Sequence, residues 1–205
     1  MNVRVKICGI TNVEDALFCV EAGADALGFN FYHKSLRFID TSKCEEIISR
    51  LPPFVSRVGV FVNEEPNVVR GLSETLNLDY LQFHGNESPE YCRMFGKKAI
   101  KVFRIQEPMD FENYCSAAAF LFDSPHEGGF GGTGKSFDWG KIKEMRALTR
   151  PVILSGGLGL DNIEEAIKQV RPYAVDVCSR LESGPGKKNP ARIRDFVVKA
   201  KGVKI

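Results

Sequence analysis

No apolar run in these 205 residues approaches the roughly 20 needed to cross a bilayer as a helix, so no membrane partner is expected. The first residues show no charged stretch leading into an apolar one, and no secretory leader is expected. A strong charge of one sign is missing. Lys and Arg number 28 against 26 Asp and Glu, and the net +2 argues neither for nor against an acidic partner. C-x-x-C spacing is missing too. Cys8, Cys19, Cys44, Cys92, Cys115 and Cys178 are scattered, so no zinc site is expected, and they read as free thiols in a reducing cytoplasm. What is there is an ordinary globular composition, 43% hydrophobic and 26% charged, with enough chain for one substantial core. Basic residues thicken only near the C-terminus, from Lys187 to Lys204, where they read as the solvated face of a helix. A nucleic-acid module would spread them over a recognition surface, so no nucleic acid is expected.

Short apolar runs alternate with longer amphipathic ones. The β-branched and aromatic runs predict strands over 4–8, 26–31, 57–62, 80–83, 100–103, 119–123, 152–155 and 174–178. Between them, caps and a period near four predict helices. Asn12 opens one reaching Gly23, Asp40 and Ser42 one ending near Leu51, and Glu64 one reaching Leu76. Ser88-Pro89 starts another, Asp138 one to Leu148, Asp161 one to Val170, and Asn189-Pro190 one to Lys201; 110–117 is the weakest. Eight strands, each followed by a helix and with no hairpin turn signals, imply parallel βαβ repetition. The expected fold is a compact (β/α)8 TIM barrel formed by residues 1–205 as one domain; an open doubly wound sheet is the runner-up. A barrel this short demands tight loops, so the long connections at 32–39, 124–137 and 181–188 stand out. All three follow strands, on the face where barrel enzymes build active sites.

Chemistry collects at those strand ends. Cys8 in "VKICGIT", His84 in "QFHG", Asp123, Ser155-Gly156-Gly157 and Cys178-Ser179 share one rim. Each alone has a plainer reading: a buried thiol, a satisfied rim histidine, an aspartate tying down loop amides. Together, a thiol, an imidazole and a carboxylate suggest proton transfer. Glycine-bearing loops after strands seven and eight suit a phosphate, and Arg37 after strand two could clamp a second anion. Strand alternation puts Lys6 on the face of Cys8, roughly 6.6 Å below it at ~3.3 Å per residue. Asp176 on strand eight is its expected partner, because an unpaired buried ammonium is costly. A rival motif, "GFGGTGKS" at 129–136, matches the P-loop pattern letter for letter. No strand directly precedes it and no helix begins at Lys135, so 124–137 reads instead as a glycine-hinged lid.

The segments "VKICGIT", "GADALGFNFYHKSLRFI", "VGVFVN", "LQFHG", "FDS…GGTGKSFDW", "LSGGL", "VRPYAVDV" and "PGKK" follow one another along the chain. Together they resemble the phosphoribosylanthranilate isomerase family from end to end. The resemblance implies a barrel without cofactor or metal, acting on a small phosphoribosyl substrate. The implied reaction is the Amadori rearrangement of N-(5-phosphoribosyl)anthranilate in tryptophan biosynthesis. At matching positions Cys8 would be the general base, Asp123 the general acid, and Arg37 the partner of the anthranilate carboxylate. His84 would contact substrate, while Gly156, Gly157, Ser179 and Arg180 would hold phosphate. A different sugar-phosphate isomerase is the enzyme alternative, and a monomer and a homodimer are both open. One departure stands out. Where the family usually reads Asp-Val-Ser-Ser-Gly-Val-Glu, this chain reads "DVCSRLE", with Cys178 for a serine and Arg180 for glycine. The expectation is that the loop keeps its path and Arg180 adds a charge-assisted bond to phosphate.

Overall fold

The computed structural model describes residues 2–105, 111–124 and 150–204. Eight strands close a barrel in chain order. They are β1 (Arg4–Cys8), β2 (Ala26–Asn30), β3 (Ser56–Phe61), β4 (Tyr80–Phe83), β5 (Ala99–Arg104), β6 (Ala119–Asp123), β7 (Val152–Leu154) and β8 (Ala174–Val177). β8 pairs in parallel with β1, with Lys6 opposite Asp176 and Ile7 opposite Val177. The expected strands are all present, five of them with ends shifted by one residue.

Helices are α1 (Val13–Glu21), α2 (Thr41–Ser49), α3 (Pro66–Thr75), α4 (Pro89–Arg93), α5 (Ile163–Val170) and α6 (Pro190–Gly202). Their starts follow local chemistry. The side chains of Asn12, Asp40, Ser88 and Asn189 accept amide bonds at the first turns of α1, α2, α4 and α6. Proline opens α3, α4 and α6, where its missing N–H costs nothing. Three expectations need correction. Asn162, not Asp161, precedes α5, because the Asp161 carboxylate is drawn to Arg180 at 2.8 Å. The described part of 110–117 forms only a 3-10 turn at Glu112–Tyr114. The connection 181–188 folds into a hairpin, β9 (Glu182–Gly184) antiparallel to β10 (Lys187–Lys188), with Gly186 at φ +75. Residues 125–137 of the expected lid, the "GFGGTGKS" motif and the helix from Asp138 lie outside the described residues.

Strand alternation sorts the side chains into three regions. Outward residues such as Ile7, Leu27, Phe29, Phe83 and Phe122 form the main core. Inward residues Val58, Ile100, Val102, Leu121 and Ile153 fill the barrel as a separate apolar cluster. Nearer the C-terminal ends the inward positions turn polar, and Lys6, Gln82, Asp123 and Asp176 are all buried there. That polar layer is expensive unless paired, so its pairing defines the site. No helix among the described residues is long and apolar enough to cross a membrane.

Candidate active site

The polar layer opens upward into a cavity of about 250 Å³. Every residue selected from sequence lines it: Cys8, Arg37, His84, Asp123, Gly156, Gly157, Ser179 and Arg180. Among the described residues, no cluster of three or more His, Cys, Asp or Glu is arranged to hold a metal ion.

On one side stands Cys8, the last residue of β1. Gly28 faces it across the β1–β2 register. A Cβ on Gly28 would lie 2.8 Å from the Cys8 sulfur and 3.1 Å from Lys6 Nζ, so glycine leaves room for both. Beneath, Lys6 Nζ donates to Asp176 Oδ1 at 2.9 Å, the pair expected from spacing. Hydrogen bonding from Cys178 is the largest pull on the Cys8 thiol. Together with the Lys6 and Lys188 cations, it holds Cys8 well below the ordinary thiol value against the opposing effect of burial. Sharing that proton raises Cys178 correspondingly. Burial opposes charge on Lys6, but Asp176 and Cys8 outweigh it and keep the ammonium protonated. Burial also pushes Asp176 up to about 7, against the pull of Lys6. By contrast, burial pushes Cys19, Cys44 and Cys92 up to about 12, so those three are inert.

The hairpin behind Cys8 carries a charge chain that joins Arg37 to the thiol. Arg37 Nε and Nη2 donate to both Glu182 oxygens, at 2.6 to 3.1 Å. Buried Lys188 donates to Glu182 Oε1 at 2.9 Å and to the Cys8 carbonyl at 2.6 Å, and lies 3.8 Å from the Cys178 sulfur. Burial would raise Glu182, but Arg37 and Lys188 hold it below its ordinary value.

On the other side is Asp123, at the end of β6. Its Oδ1 accepts the Ser124 amide at 2.8 Å, and Oδ2 lies 3.2 Å from His84 Nε2. Gln82 Nε2 meets His84 Nδ1 at 3.2 Å. Gln82 and Asp123 thus flank the two ring nitrogens of His84.

The third wall is the pair of loops after β7 and β8. Gly156 (φ +84) and Gly157 (φ +66) are left-handed, and a Cβ on Gly156 would collide with the Ser124 backbone nitrogen. Arg180 sits in a 3-10 turn at Ser179–Leu181 and has no positive φ, so arginine replaces glycine without backbone strain. Its Nη1 donates to the Gly157 carbonyl at 3.0 Å, and Nη2 meets Asp161 at 2.8 Å. The guanidinium therefore ties the two loops together at the cavity wall.

Sequence reasoning put Cys178 on the rim without giving it a role, and it missed Glu182, Lys188 and Gln82 as parts of this site. Gln82 and Cys178 had a readable signal. Gln82 lies two residues before His84 on the inward face, and Cys178 two residues after Asp176.

Residues 5–199 match the model of the family described as N-(5'phosphoribosyl)anthranilate (PRA) isomerase. The N-(5'-phosphoribosyl)anthranilate isomerase of Thermotoga neapolitana is 49% identical over 205 residues, covering 98% of this chain and 100% of that protein. Among solved structures, phosphoribosyl anthranilate isomerase from Thermotoga maritima superposes with a TM-score of 0.91 at 47% identity, covering 98% of this chain and 100% of that one. Another, a phosphoribosyl anthranilate isomerase in complex with reduced 1-(o-carboxyphenylamino)-1-deoxyribulose 5-phosphate, has a TM-score of 0.84 at 43% identity, covering 98% and 100%. With the family model matched over residues 5–199, and with the barrel and nearly its whole length in common with these proteins, the chain belongs to the N-(5'-phosphoribosyl)anthranilate isomerase family.

Proposed function

We infer that the chain converts N-(5'-phosphoribosyl)anthranilate to 1-(2-carboxyphenylamino)-1-deoxyribulose 5-phosphate, an isomerase step of tryptophan biosynthesis. The observation that carries this reading is the convergence of Cys8 and Asp123 on one cavity in a chain that matches the family over residues 5–199. An aminoaldose must open before it can isomerise. Asp123, held by the Ser124 amide and facing His84, protonates the ring oxygen, and ring opening gives a protonated Schiff base. That cation acidifies the neighbouring C2–H. Cys8, kept thiolate-rich by Cys178, Lys6 and Lys188, removes the proton, and the resulting enaminol tautomerises to the ketose. Every step is a proton transfer, so the scheme calls on no cofactor.

Binding energy comes from the two ends of the substrate. Gly156, Gly157, Ser179 and Arg180 receive the phosphate, and His84 contacts the ribose beside Asp123. Arg37 receives the anthranilate carboxylate through Nη1, which takes no part in its bonds to Glu182. Such an arginine separates this reaction from isomerisation of a plain sugar phosphate, which has no carboxylate to clamp. Six free cysteines suit a reducing cytoplasm. The test is direct: purified protein should abolish the fluorescence of freshly made phosphoribosylanthranilate. Fluorescence that persists, with turnover of a phosphosugar lacking the carboxylate, would select the other isomerase.

A further inference from the structure

Cys178 has chemistry that proton transfer at Cys8 does not use up. Cys8 ends β1, and Cys178 directly follows β8. The register pairs Ile7 with Val177, so Cys178, the first residue past β8, comes beside Cys8 at the end of β1. Neighbouring strands lie ~4.8 Å apart, inside the roughly 4.4–6.8 Å Cα separation that a disulfide spans. Both side chains face the barrel interior, each two residues beyond one member of the Lys6–Asp176 pair. Both thiols are free, Cys178 is the strongest influence on the acidity of Cys8, and the Cys178 sulfur lies 3.8 Å from Glu182 Oε1. A Cβ on Gly9 would come within 2.9 Å of the Cys178 sulfur, and one on Gly28 within 2.8 Å of the Cys8 sulfur, so glycines leave the pair its space. Both cysteines line the open cavity, where a small solute reaches them.

We propose that Cys8 and Cys178 form an oxidisable dithiol, a modification site for small hydroperoxides that closes as an intramolecular disulfide. The Cys8 thiolate attacks one peroxide oxygen. An S–O bond forms, the O–O bond breaks, and hydroxide leaves and is protonated to water. The sulfur is oxidised by two electrons to a sulfenic acid and the peroxide is reduced. Cys178 gives up its proton and attacks that sulfur. The S–S bond forms, the S–O bond breaks, and a second water leaves. In the reduced pair the bond to Cys8 and burial hold Cys178 above the ordinary thiol value. Conversion of Cys8 to the sulfenic acid removes that thiolate, and Lys188, 3.8 Å from the Cys178 sulfur, then pulls it toward the attacking anion. Competing thiols are poorly placed. Cys19, Cys44 and Cys92 are buried and pushed up to about 12, which leaves exposed Cys115 as the one side reaction to remove. The proposal rests on Cys8 being a thiolate in the cavity. Loss of isomerase activity on closure rests, in addition, on Cys8 being the base.

The test uses the full chain carrying Cys115→Ser, treated with a small excess of hydrogen peroxide and read by intact mass and peptide mapping. The expected product is two hydrogens lighter, joins the Cys8 and Cys178 peptides, and reverts with dithiothreitol. With Cys178→Ser added, or Cys178→Ala should serine disturb folding, Cys8 should instead gain oxygen and be trapped by dimedone. Parent protein that gains oxygen at Cys8 while Cys178 stays a free thiol overturns the proposal. So does parent protein left unmodified under conditions that oxidise free cysteine. A disulfide that forms without loss of turnover upholds the dithiol and removes Cys8 as the base.

Discussion

Glu182→Gln takes one negative charge from between two cations and leaves the shape of the side chain nearly unchanged. The Glu182 side chain is 4% exposed, Lys188 1% and Arg37 18%, so little water is available to replace the lost charge. Removing one member of a buried ion pair costs about 3–5 kcal/mol. The amide oxygen still accepts one bond, and Lys188 keeps the Cys8 carbonyl, which favours the low end, about 3 kcal/mol. At roughly 2–4 °C per kcal/mol for a domain of this size, Tm should fall by about 6–12 °C. Thermal unfolding followed by circular dichroism at neutral pH measures it. The pH dependence has a definite sign. Arg37 and Lys188 overcome the opposing effect of burial and depress Glu182, so its contribution is complete above the unfolded carboxyl value near ~4.3. It is lost as pH falls through the lower folded value, so the gap between variant and parent should close in acid. A fall of under ~2 °C at neutral pH, worth roughly 1 kcal/mol or less, would show a hydrated pair and refute the brace.

Asp123→Asn should lower kcat by roughly 10²–10⁴-fold while product affinity, measured by titration, survives; affinity that vanishes with kcat would make Asp123 a binding residue. Arg180→Gly should raise KM, more so at high salt, because a charged partner leaves the phosphate wall; a lower KM would mean that the amides alone hold the phosphate. Cys178→Ala removes the largest pull on Cys8, so the acid limb of kcat/KM, expected below the free-thiol value of ~8.5 in the parent, should move upward. An unmoved limb in the pH profile would assign it to another group.

The barrel was legible because its signals are local. Apolar runs alternate with capped amphipathic stretches, and the inward and outward faces follow from strand period alone. The same period placed Lys6 under Cys8 and set it against Asp176 at 2.9 Å. Cys8, His84 and Asp123 were legible as strand ends, a position that a sequence can mark. Glu182 and Lys188 were not, because both lie in a hairpin whose turn, Gly184-Pro185-Gly186, reads as slack. Their partners Arg37 and Cys8 meet them only after the barrel closes. Cys178 stood out as a rim residue and as a departure from the family, but with no role. Its pairing with Cys8 needs the β1–β8 register, which only closure of the barrel supplies.

The central claim is that Cys8 takes the C2 proton, and Cys8→Ser tests it most directly. Serine keeps the size of the side chain but supplies a far weaker base. With folding checked by circular dichroism, and substrate consumed in the fluorescence assay, kcat should drop by roughly 10²–10⁴-fold. A folded Cys8→Ser protein that turns over at close to the parent rate would contradict it.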